Sequence, residues 1–137
     1  MLEGVTDDRT KRTRLATLHE QLLAVHTALL AIARAGYERT HGFAPTPGEL
    51  LQLLLRDDGF AWLHSVSELA ARVGELLGRK VIPEEDLSAI ARAADELLTP
   101  DEGGTGFAKK YFDALQSSPD VAIAHAGARL AIAAFSA

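Results

Sequence analysis

The sequence predicts an all-α fold, a compact bundle of five to six mostly antiparallel helices forming one domain over residues 1–137. Three observations predict it. Apolar residues recur at helical spacing through most of the chain, the strict apolar–polar alternation of a half-buried strand is nearly absent, and capping residues, prolines and glycines break the pattern at short intervals. Short connections favour antiparallel neighbours. The 137 residues suffice for one hydrophobic core, and 47% hydrophobic with 24% charged residues argues against wholesale disorder.

The first helix is read from Leu15, Leu18, Leu22, Val25, Leu29 and Ile32, a stripe that Leu23, Leu30, Ala33 and Tyr37 widen. Thr6 or Asp7 is placed to cap its start, and Gly42 after His41 to stop it. A helix from Asp8 to His41 is ~50 Å long at 1.5 Å per residue, against a diameter of ~37 Å for a compact chain of this size. The basic turns within 1–14 are therefore expected to overhang or fray.

Thr46-Pro47-Gly48-Glu49 carries the clearest local signal, a capping threonine before a proline with a glutamate placed to return the hydrogen bond. Leu50, Leu51, Leu53, Leu54 and Leu55 follow, apolar on nearly all sides, so this helix is expected to be buried. Asp57-Asp58-Gly59 reads as a break, with Asp58 capping a helix whose face is Phe60, Trp62, Leu63, Val66, Leu69, Val73, Leu76 and Leu77, up to Gly78. Leu51, Leu55, Trp62 and Val66 stay in phase across that break, so one kinked helix over 47–77 is the alternative.

Pro83 opens the next helix, with Glu84, Glu85 and Asp86 in the first turn, where negative charge suits the helix dipole. Leu87, Ile90, Ala91, Ala94, Leu97 and Leu98 form its face, and residues 99–106 read as a flexible loop. A short helix carrying Phe107, Tyr111, Phe112 and Leu115 leads to Ser118-Pro119, which starts an alanine-rich last helix. On that helix Ile123, Gly127, Leu130 and Ala134 share the side assigned to the core, with Gly127 marking a close helix approach. Val121, His125, Arg129, Ile132 and Phe135, opposite, are assigned to a self-association interface with Arg129 as polar anchor. The alternative is that another helix of the same chain covers them.

The net charge of −5 is uneven. The stretch from Pro83 to Glu102 holds seven acids against Arg92, which leaves the remainder at +1. A nucleic-acid partner would call for the opposite sign over a face, and none is expected. The one basic cluster, Arg9, Lys11, Arg12 and Arg14, reads as a solvated helix end. With no cysteine, disulfides, thiolate metal sites and cysteine nucleophiles drop out. The first fourteen residues show no apolar run, and His125 and Arg129 interrupt the apolar tail short of the ~20 residues of a membrane helix. The chain is accordingly expected to be cytoplasmic, with no membrane partner.

Candidate sites are few. His19 and His26 lie ~10 Å apart along one helix, too far to share an ion unaided, whereas His64 and Glu68 have the i, i+4 spacing that could present both to a metal, with His19 as a further candidate. The Glu-x-x-His repeats of di-iron bundles and the His-Glu-x-x-His motif are missing. His26, Trp62 and His64 are the candidates for a small-ligand or haem pocket. Asp101 to Lys110 has glycines before a helix but not the phosphate-loop spacing, and Ser65 beside His64 is adjacency without a triad. No cofactor and no catalytic residue is assigned.

Residues 46–77, TPGELLQLLLRDDGFAWLHSVSELAARVGELL, together with residues 25–42 upstream, resemble small bacterial all-helical proteins of no assigned function. Pro-Gly-Glu-Leu-Leu and Phe-Ala-Trp-Leu are the elements that carry the likeness. The resemblance implies a cytosolic bacterial helical protein and transfers no functional residue. The expected function is a non-enzymatic interaction module, self-associating as a homodimer or binding another protein. The alternative is a small-ligand, metal or haem-binding bundle built around the histidines near Trp62.

Overall fold

The computed structural model describes residues 8–136, with the side chain of Ser136 excepted. Thr6 and Asp7, expected to cap the first helix, lie outside the described residues. Seven α-helices follow in order within that range: α1 (Asp8–His41), α2 (Pro47–Arg56), α3 (Asp58–Ala61), α4 (His64–Leu77), α5 (Glu84–Leu97), α6 (Gly106–Ser117) and α7 (Pro119–Ala133), with a 3₁₀ turn over Ala134–Ser136. No strand occurs among the described residues.

The count exceeds the expected five to six because residues 47–77 form three helices rather than one or two. Asp57 is the reason. Its backbone is extended and its Oδ1 accepts the Gly59 amide at 2.7 Å, so it ends α2 and caps the four-residue α3. The cap is thus Asp57, and Asp58 is the first helical residue. The other punctuation acts as read. Thr46 Oγ1 accepts the Glu49 amide at 3.2 Å while Glu49 Oε1 accepts the Thr46 amide at 2.9 Å, closing the capping box. Ser118 Oγ accepts the Val121 amide ahead of α7. Gly42 adopts φ +83° just past α1, the left-handed conformation in which a side chain would be strained.

The core is built on α1. Leu15, Leu18, Leu22, Val25 and Leu29 are fully buried, each contributing about 1.5–3 kcal/mol by leaving water. They pack chiefly against α4 and α7. The α1–α4 pair runs antiparallel, as three contacts show: Arg12 reaches the carbonyl of Leu77, the His19 ring lies against Gly74, and His26 shares a cavity with His64. By length and composition α1 could cross a membrane; here its apolar stripe is the core of the bundle.

Two expectations are overturned. Of residues 1–14, expected to overhang or fray, 1–7 lie outside the described residues, and the turns from Asp8 onward are anchored. The Arg12 guanidinium donates to the carbonyls of Leu77, Arg79 and Lys80, and Lys11 Nζ to that of Ile82 at 3.2 Å. These carbonyls end α4 and form the following turn, where helical partners run out and the helix dipole is negative, so a guanidinium fork satisfies them. Helix α2 is amphipathic rather than buried. None of its residues is buried, Leu51 and Leu55 being 56% and 57% exposed. Its capping box and leucines fix a helix, but only Leu50, Leu53 and Leu54 turn toward the protein.

Candidate functional site

The histidine-based sites divide across the molecule. His26 and His64 line one cavity of about 230 Å³ with Leu54, Phe60, Leu63 and Ser67. That is smaller than the ~300–1,000 Å³ of small-molecule sites, and too small for a porphyrin. The His64 Nε2–H donates to the carbonyl of Leu54 at 2.7 Å, tying α2 to the start of α4, so this nitrogen is committed. Burial, and secondly the charge of His64, hold the His26 imidazole below its ordinary pKa. His19 lies against Gly74, ten residues further along α4, and Glu68 is exposed. The structure therefore does not bring His19, His64 and Glu68 together. Among the described residues no group of three or more His, Asp or Glu is placed to hold a metal.

Trp62 points away from these histidines. Its Nε1 donates to the carbonyl of Gly59 at 2.9 Å, its ring lies 5.7 Å from that of Phe107, and Lys110 Nζ sits 5.7 Å from its centroid. It borders a groove of about 650 Å³ between the last third of α1, α3 and α6, where Tyr37, Phe60 and Arg39 also contribute. Sequence reasoning missed this groove, because the residues that meet there come from three separated segments. The signal available was the density of aromatics: Tyr37 stacks on His41 with centroids 3.9 Å apart and meets Phe60 edge-on at 6.4 Å.

The expected interface on α7 is corrected. Val121 is 0% and Ile132 7% exposed, and both belong to the core, with Phe135 half-buried against it. His125 and Arg129, taken as outward markers, find partners inside the chain. The Tyr111 hydroxyl, wholly buried, meets His125 Nδ1 at 2.7 Å, and Arg129 pairs with Asp95 of α5. Burial raises the Tyr111 pKa, while burial and then Arg129 lower that of His125. Both groups keep to their neutral side, and the hydroxyl and the ring nitrogen share one proton-bearing contact.

The side assigned to the core faces solvent. Ile123 is 71% and Leu130 75% exposed, and with Ala122, Ala126 and Ala133 they make an apolar outward strip of α7, bordered by Asp120 and by Arg129. The helix is apolar nearly all round, so periodicity could not tell its two sides apart. At Gly127 it is the Gln21 side chain of α1 that comes close. A Cβ there would collide with the side-chain oxygen of Gln21. The chain matches no protein-family model, no curated protein and no solved structure.

Proposed function

We propose that this chain is a non-enzymatic helical module that self-associates as a homodimer through the outward side of α7. The observation that carries the reading is the surface of Ala122, Ile123, Ala126, Leu130 and Ala133, exposed and without one polar side chain. A helix apolar all round belongs in an interior, and one side of α7 has no interior within its own chain. Isolated exposed apolar residues are ordinary; a contiguous strip along one helix marks an association surface.

The partner that suits the strip is a second copy. The strip's own side chains carry no charge or hydrogen-bonding group, with Asp120 and the Asp95-paired Arg129 at its borders, and it is complementary to itself. Ile123 and Leu130 are seven residues apart, ~10 Å along the axis. In an antiparallel two-fold pair, Ile123 of one copy meets Leu130 of the other, and Ala126 near the axis lets the backbones approach. The polar groups elsewhere support a non-enzymatic reading, since His64, His125, Asp57 and Arg12 each serve a structural contact within the chain. Sedimentation of the wild type beside an Ile123→Glu/Leu130→Glu variant tests the proposal. A dimer that becomes a folded monomer supports it, and a wild type that sediments as a monomer at all accessible concentrations refutes it.

A further inference from the structure

The groove between α1, α3 and α6 is separate from the outward side of α7, so a ligand can occupy it whether or not the chain self-associates. We infer that the groove binds a small planar organic anion and that Gly36 keeps it open. Its volume of about 650 Å³ falls within the ~300–1,000 Å³ typical of small-molecule sites.

Gly36 is the first reason. It sits inside α1, where glycine weakens a helix relative to alanine. Its φ is not positive, so the backbone does not demand it. Packing does not demand it either: an added Cβ would meet only Arg39 Nη2, at an ordinary 3.7 Å. What the missing side chain provides is room on the groove wall.

The chemistry of that wall specifies the ligand. Tyr37 and Trp62, both half-buried, present aromatic surface that suits a planar ring, with the buried Phe60 at the base of the wall. Thr40 and Ser117 turn their hydroxyls back to carbonyls of their own helix. The two acids are engaged, Asp57 by the Gly59 amide and Asp113 by Lys109 at 3.0 Å. Arg39 and Lys110 have no carboxylate partner among the described residues, and Lys110 is poised near the Trp62 ring. With Asp113 neutralised by Lys109, Arg39 and Lys110 stand against the charge of Asp57 alone, so the wall carries a net excess of one positive charge beside aromatic faces. A ring bearing a carboxylate or sulfonate satisfies both.

Calorimetric titration with naphthalene-2-sulfonate tests this, with the Trp62 indole N–H resonance followed by NMR; Trp62 is the single tryptophan. One-site saturable binding is expected, weaker by about tenfold for the neutral naphthalene-2-methanol and for the ringless methanesulfonate. Lys110→Gln should weaken binding by about tenfold while leaving the fold intact. Gly36→Leu should keep or raise the melting temperature and abolish binding, because leucine favours the helix and fills the groove. The Ile123→Glu/Leu130→Glu variant should bind as the wild type does, showing that the ring does not lodge on α7. No saturable binding, equal affinity for the neutral compound, full affinity in Gly36→Leu, or loss in the α7 variant would each overturn the inference.

Discussion

Replacing Tyr111 by phenylalanine removes one oxygen from the interior and little else. The ring is fully buried and stacks on Phe107 with centroids 5.3 Å apart and planes 19° apart, contacts that phenylalanine keeps. What goes is the 2.7 Å bond to His125 Nδ1. A net hydrogen bond contributes about 1 kcal/mol, and a ring nitrogen left without its partner costs a further part of the ~1–3 kcal/mol of its desolvation. His125 is half-buried, so water recovers some of that, and a loss of about 1.5 kcal/mol is expected. For a domain of this length the melting temperature should fall by roughly 5 °C. Urea denaturation of Tyr111→Phe, His125→Leu and the double variant measures the coupling, expected at about 1 kcal/mol. Additive losses, or an unchanged midpoint in Tyr111→Phe, would refute the buried pair and the inward orientation of α7 that it supports.

Ile132→Glu places a carboxylate where 7% of the side chain is exposed and should cost more than about 4 kcal/mol; a folded Ile132→Glu protein by circular dichroism would contradict the core assignment. Arg12→Ala releases three carbonyls at the end of α4 and should cost about 2 kcal/mol in chemical denaturation, whereas an unchanged midpoint would mean that the first turns of α1 are free. Stability should fall on acidification. His26 and His125 are both held below the ordinary 6.5, so as pH drops below that value the unfolded chain takes up protons that the folded one refuses. The loss levels off beneath the lowered folded-state values, and its slope stays under about 1.4 kcal/mol per pH unit for each histidine because both rings remain partly solvated. A denaturation midpoint that is flat from about pH 7.5 to about pH 5, or one that rises, would contradict the neutral folded-state histidines.

Local signals in the sequence were legible wherever the physics is local. Thr46 with Glu49, Ser118 before Pro119, Gly42 and the 3-4 stripe of α1 each act within one or two helical turns, and each lies where the residues alone place it. Orientation was legible only where a helix has two chemically different sides. α1 has such sides and α7 does not, so His125 and Arg129 were the only guides to its outer face, and both are satisfied by Tyr111 and Asp95, residues 14 and 34 positions away. The same limit explains α2, where a run of leucines says that apolar surface exists but not how much neighbouring helix is available to cover it. Arg12 and Lys11 looked like a solvated helix end for a related reason. The carbonyls they reach lie more than sixty residues away, and backbone acceptors leave no trace in side-chain pattern.

Equilibrium sedimentation tests most directly the proposal that a second copy of the chain covers the outward side of α7. The wild type, a chain of 14.7 kDa, should show a dimer mass, and Ile123→Glu/Leu130→Glu the monomer mass with its helical circular dichroism unchanged, since both side chains already point to solvent. A dimer that survives both substitutions would place the interface elsewhere, and a wild type that is monomeric would leave the apolar strip without the role assigned to it.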